Sequence, residues 1–99
     1  MVDPSAMNRQ EAERIANEVA SRYRARPRDE LLRYLKEQDV FEEVAPSGNR
    51  YQIEVQAFWD DRKGNDLRVR IAIDDFGCSA FHPLIVDFIV ARDGRFVGE

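Results

Sequence analysis

The sequence predicts an α+β fold in which two N-terminal helices pack on one face of a four- to five-stranded antiparallel meander sheet. Two observations indicate this fold. Apolar residues recur at helical spacing near the start of the chain, and between residues 51 and 91 they recur at every second position. Successive side chains of a strand point to opposite faces, so the second pattern is typical of a sheet with one buried face. The length of 99 residues fits one domain, with residues 1–7 expected to form a disordered leader.

The first helix is predicted to begin after Asn8, because a short polar acceptor followed three residues later by Glu11 resembles a capping box. An apolar stripe then follows at helical spacing: Ala12, Ile15, Ala16, Val19, Ala20 and Tyr23. Pro27 separates this helix from a second one, since proline suits a first helical turn and the residue before it avoids the α region. The second helix is expected to carry Leu31, Leu32, Tyr34 and Leu35 on its apolar side and to end near residues 38 and 39.

The remaining segments are predicted to be strands at residues 40–45, 50–59, 67–75 and 84–91, with a short fifth at 96–97. Odd-numbered positions of the second and third strands must share a face, so we expect Trp59 to lie opposite Leu67. This register leaves residues 62–64 as a three-residue loop, and Gly64 occupies the third place, where a left-handed residue is needed. The expected core is Trp59, Val55, Ile53, Val69, Ile71, Ile15 and Val19.

Composition favours a folded protein that does not bind nucleic acid. The chain has 15 Lys and Arg against 19 Asp and Glu, a net charge of −4, whereas nucleic-acid binders usually carry a basic excess. A cluster at Arg22, Arg24, Arg26 and Arg28 is the local exception, and it equally suits a helix C-terminus. One cysteine allows no internal disulfide, and neither a signal peptide nor an apolar run of membrane-spanning length is present. We expect a cytoplasmic protein that binds no membrane, metal or cofactor.

Cys78 and His82, four residues apart and close after Asp74, suggest an alternative catalytic site, because a Cys–His–Asp set activates a thiolate. The competing interpretation is a small buried cysteine and a histidine that closes a loop. A group of residues with side-chain oxygens in the loop after the second strand could bind calcium or magnesium. However, Arg62 and Lys63 lie among them and would oppose a cation, and turns favour the same residue types. That group is Asp60, Asp61, Asn65 and Asp66.

The face of the sheet opposite the helices is the predicted partner-binding surface. If Val86 and Phe88 face the core, Ile85 and Ile89 point outward, where apolar residues grouped together favour a protein partner. The predicted binding residues are Phe58, Arg68, Arg70, Ile85 and Ile89. The alternative is that the C-terminal tail folds back over them.

The C-terminal half resembles small uncharacterised bacterial proteins. The resemblance rests on residues 50–55, 58–61, 73–75, 83–84, 87–89 and 93–99, about half the chain, and it implies no activity. Two hypotheses therefore stand side by side. The first is a non-catalytic interaction module, self-associating or resembling immunity proteins and secretion chaperones. The second is a small enzyme or ligand-binding domain with its site around Cys78, His82 and Asp74.

Overall fold

The computed structural model describes residues 8–75 and 83–98 and confirms the α+β fold with N-terminal helices. Helix α1 spans Arg9–Arg24, and the single turn α2 spans Arg28–Leu31 and runs into a 3-10 helix at Leu32–Leu35. The strands are β1 at Asp39–Val44, β2 at Arg50–Trp59, β3 at Leu67–Asp74 and β4 at Leu84–Val90. They form one antiparallel sheet in the order β1-β2-β3-β4.

Helix α1 begins where the sequence predicted. The side chain of Asn8 accepts a hydrogen bond from the backbone N–H of Glu11 at 3.1 Å, which satisfies one of the free amides of the first turn. The carboxylate of Glu11 does not complete a capping box. It accepts hydrogen bonds from the Tyr51 hydroxyl at 2.7 Å and the Asn49 side-chain amide at 2.9 Å. Glu11 therefore ties the start of α1 to β2 and the turn before it.

The second helix is shorter than the sequence predicted. Its α-helical part ends at Leu31, and the following 3-10 turn ends at Leu35, so β1 can begin at Asp39. Tyr34 is buried on this turn, with its ring 5.5 Å from that of Tyr23 in an edge-on arrangement. The Tyr23 hydroxyl donates to the carboxylate of Asp39, and burial, followed by this bond, raises the pKa of Tyr23. The apolar residues that suggested a long helix, such as Leu31 and Tyr34, are instead buried by one α-helical turn and one 3-10 turn.

The β2–β3 register is confirmed. Trp59 lies opposite Leu67, and the ladder continues through Val55 with Ile71. The loop closes with Asp60 N–H donating to the Asp66 carbonyl at 2.9 Å. Gly64 has a φ of 86°, the left-handed conformation that was expected there. The predicted three-residue loop is wrong, because the strands end at Trp59 and begin at Leu67 and the connection spans residues 60–66. The hydrophobic alternation and one glycine thus suffice to align this hairpin.

The core lies between the helices and one face of the sheet, here called the inner face. Six of the seven expected core residues are buried: Ile15, Val19, Ile53, Val55, Val69 and Ile71. The prediction was wrong for Trp59, which is only half-buried. β1 pairs with β2 only as far as Val55, so the end of β2 lies at an open edge, and a large indole there is not enclosed.

The flanks of helix α1 contact both edge strands. Arg22 binds Glu43 of β1 at 2.5 Å and lies over the Phe41 ring, whereas Arg24 lies over Phe88 of β4. Residues two apart on a helix project about 200° apart, so these two arginines reach the edge strands from opposite flanks of α1. The predicted fifth strand is reduced to a single bridge between Val90 and Phe96.

Candidate partner-binding surface

The face of the sheet turned away from the helices, here called the outer face, carries all five predicted binding residues. The pairing of β2, β3 and β4 places Phe58, Arg68 and Ile89 side by side in one row. The next row holds Gln56, Arg70 and Asp87, and the row after it holds Glu54, Ala72 and Ile85. The sheet thus brings the predicted residues onto one surface, whereas their binding role stays a prediction.

The apolar side chains of the outer face are exposed but not adjacent. Phe58 is 40% exposed and Ile85 is 49% exposed, while Ile89 is half-buried. Arg68 stands between Phe58 and Ile89, and strands lie about 4.8 Å apart, so their Cα positions are separated by about 10 Å. The surface is therefore a mosaic of apolar and charged groups.

Arg68 is fixed in place by two carboxylates. Its guanidinium binds Asp60 at 2.8 Å and Asp87 at 2.9 Å, and donating these hydrogen bonds, above all the one to Asp60, raises the pKa of Arg68. The guanidinium of Arg70 lies 5.0 Å from the centre of the Phe58 ring. Its Nε is buried and has no hydrogen-bond partner within the part of the chain that the structure describes. Both arginines are thus held against the sheet rather than extended into solvent.

Sequence reasoning missed two members of this surface. Val40 is 47% exposed and Val44 is 61% exposed, and both lie on the outer side of β1. The signal was present, because Val40, Glu42 and Val44 alternate with Phe41, which faces the core. Only the pairing of Val40 with Glu54 shows that these valines extend the surface containing Ile85.

The C-terminal tail takes a different course from the one that would cover the outer face. The Phe96 ring packs edge-on against Phe88, an inner-face residue, at 5.9 Å between ring centres. Arg24 lies 4.6 Å above the Phe96 ring. The backbone N–H of Val97 donates to the carbonyl of Ile89 at 2.9 Å, so the tail runs along the edge of β4. Phe58 and Ile85 consequently remain exposed.

The alternative catalytic site is placed only in part. Asp74 is the last residue of β3, and its backbone pairs with Gln52 on the outer face. Cys78 and His82, the single cysteine and the single histidine of the chain, lie outside the described residues. Among residues 8–75 and 83–98, no group of His, Cys, Asp or Glu side chains is arranged to hold a metal ion. Within the same ranges, no helix is long and apolar enough to cross a membrane.

Comparison of the chain with protein-family models, with curated proteins and with solved structures finds no match. The fold and the surface are therefore interpreted from the residues of this chain.

Proposed function

We propose that this protein is a non-catalytic interaction module whose outer face binds a second copy of the chain. One observation carries the proposal: the large exposed hydrophobic residues concentrate on this face. Val40, Val44, Phe58 and Ile85 are four of the six such residues in the described ranges. Antiparallel sheets commonly leave one face in water, and that face is then predominantly polar, so four large apolar side chains exposed on it favour a partner.

The charges of the outer face favour a second copy as the partner. Arg70, which has no ion pair within the described residues, lies toward the β2–β3 loop, whereas Glu42, Glu54 and Asp74 lie toward the opposite end, where Arg50 binds Glu42 at 2.8 Å. A two-fold axis lying across the strands sets the arginine end of one copy over the carboxylate end of the other. Two-fold dimers with self-complementary surfaces are the commonest soluble oligomers.

The size of the face sets the expected affinity. Four strands about 4.8 Å apart and about 27 Å long give a projected area of about 500 Å². Stable interfaces bury about 800 Å² on each partner, so we expect a weak dimer that dissociates on dilution. Sedimentation velocity over a concentration series should show a sedimentation coefficient that rises with protein concentration.

The variant that tests the proposal is Ile85→Lys, which should abolish this concentration dependence. Ile85 is a better position than Ile89, because Ile89 is half-buried and its carbonyl accepts the Val97 hydrogen bond. The matched control is Ser21→Lys, which adds the same charge at an exposed position of helix α1. Circular dichroism should show an unchanged fold for both variants.

Two results contradict the proposal. One is a wild-type chain that sediments as a monomer at every concentration. The other is a dimer that Ile85→Lys leaves intact, since a dimer of that kind uses another surface. If a heterologous protein binds the outer face of a strictly monomeric chain, the module interpretation survives and the second copy is excluded as its partner.

A further inference from the structure

A groove lies at the end of the sheet where two turns meet. Leu67 pairs with Trp59 on one side and with Val90 on the other, so the β2–β3 loop and the turn after β4 lie at the same end. The cavity between them has a volume of about 510 Å³. Its lining, here called the basic groove, consists of Arg62, Lys63, Gly64, Asn65 and Arg92.

The basic groove concentrates positive charge on a protein of net charge −4. Three of its five lining residues are cationic, and none is a carboxylate. Arg62, Lys63 and Arg92 have no ion pair within residues 8–75 and 83–98. The neighbouring carboxylate of Asp61 is engaged by the loop itself, accepting from the backbone N–H of Arg62 at 2.7 Å and from the Asn65 amide at 3.2 Å.

Several other arginines of the molecule are committed to protein partners. Arg22, Arg50 and Arg68 each bind a carboxylate. Arg24 is stacked on aromatic rings. Arg62, Lys63 and Arg92 line one groove, so an anion bound there would be attracted to three positive charges.

The β2–β3 loop, which carries Arg62 and Lys63, is held in place by contacts with the start of α2. Arg28, at the start of α2, donates to the Asn65 carbonyl at 2.5 Å, and its guanidinium lies 5.9 Å from the Trp59 ring. The N–H of Asn65 donates to the Arg62 carbonyl at 3.1 Å and closes the turn. The groove is thereby held in shape before any ligand arrives, which lowers the entropic cost of binding.

We propose that the basic groove binds the phosphate group of a small phosphorylated ligand. A phosphate carries more charge than a single carboxylate, and the planar fork of arginine matches its oxygens. No aromatic or apolar side chain lines the groove. Recognition therefore falls on the anionic group itself, and the rest of the ligand projects into solvent. This site is separate from the outer face and does not depend on dimerisation.

Pyrophosphate is the probe for the test, titrated into the full chain at 0.15 M salt (about physiological ionic strength). Amide resonances in two-dimensional NMR should shift saturably, with the largest shifts at Gly64, Asn65 and Arg92. Lys63→Gln and Arg92→Gln should each weaken binding about tenfold, the effect of losing one charged hydrogen bond. The matched control is Lys36→Gln, which removes the same charge from an exposed position outside the groove.

Three outcomes overturn the proposal. The first is a titration that does not saturate. The second is a loss of affinity in Lys36→Gln equal to that in Lys63→Gln, because binding would then reflect overall charge. The third is a single-stranded oligonucleotide that binds far more tightly than pyrophosphate and shifts residues beyond the groove, which would identify a nucleic-acid backbone as the ligand. The Ile85→Lys monomer should bind pyrophosphate as the wild type does, so this proposal and the dimer fail independently.

Discussion

The inner and outer faces of the sheet are built from the same strands but differ in how their apolar residues are covered. Ile71 and Ile85 show the contrast, since they lie on neighbouring strands and are 0% and 49% exposed. Helix α1 and the 3-10 turn cover the inner face, whereas on the outer face apolar residues alternate with Arg68, Arg70 and Asp87. The difference teaches that residue type alone does not decide burial, because an isoleucine is buried only where another element packs over it.

The largest expected effect on stability comes from shortening the two isoleucines of this comparison. Ile71→Ala should lower the free energy of unfolding by about 2–5 kcal/mol, because burial is lost and a cavity remains. Ile85→Ala, the same chemical change on the outer face, should cost about 0.5 kcal/mol in the monomer. Urea denaturation at low protein concentration measures both. Equal losses would show that something covers the outer face.

The next effect concerns Phe96, which joins the tail to the inner face. Phe96→Ala should cost about 1–2 kcal/mol, because it removes the edge-on contact with Phe88 and the contact with the Arg24 guanidinium. Hydrogen exchange at the Val97 amide should accelerate, since its bond to Ile89 depends on the tail staying in place. Val97→Ala keeps both ring contacts and serves as the control. Unchanged exchange in Phe96→Ala would show that the backbone bridge alone holds the tail.

A smaller effect depends on pH. The hydrogen bond from Tyr51 is the largest cause that lowers the pKa of Glu11. A lowered carboxyl pKa stabilises the fold fully above the unfolded value of about 4.3, and this stabilisation is lost as pH falls through the folded value. Tyr51→Phe should therefore cost about 1 kcal/mol near pH 7, and the difference from wild type should shrink in acid.

The hydrogen bond between Tyr51 and Glu11 can also be tested at alkaline pH, where the Tyr51 hydroxyl titrates. Burial, followed by the hydrogen bond to Glu11, raises the pKa of Tyr51 to about 12. The protonated phenol is thus favoured in the folded state, and its contribution should be lost as pH rises from about 10 toward about 12. Denaturation curves at about pH 3, 7 and 11 measure the acid limb, which is due to Glu11, and the alkaline limb, which is due to Tyr51. Tyr34→Phe, whose partner is the Arg26 guanidinium, should leave the acid limb unchanged.

The smallest effect lies on the outer face. Arg68→Gln should cost only about 0.5–1 kcal/mol, because the Arg68 side chain is 31% exposed and water screens its two ion pairs. The cost should fall further in high salt, which urea denaturation with added sodium chloride would show. A salt-independent cost would mean that the aliphatic stem of Arg68, rather than its charge, supports the sheet.

The sequence sufficed where a pattern is local. Alternation in β2 and β3 together with Gly64 determined the hairpin register, and the spacing from Ala12 to Tyr23 determined the face of α1. Trp59 was misjudged because its exposure depends on where β1 stops, which no feature of β2 reveals. The valines of β1 and the basic groove were missed for a related reason. Residues 62–65 and Arg92 are distant in sequence, and only the pairing of β2, β3 and β4 brings them to one end.

The order of strands in the sheet has a consequence for the growing chain. Each strand pairs with its sequence neighbour, so the meander can zip together as it emerges from the ribosome. Helix α1 precedes β3 and β4 in the chain by more than 40 residues, yet it packs on both of them. A helix of 16 residues is only marginally stable in isolation, and its apolar stripe has no packing partner until β3 and β4 have formed. A chain truncated before residue 84 should therefore bind a chaperone more readily than the 99-residue chain.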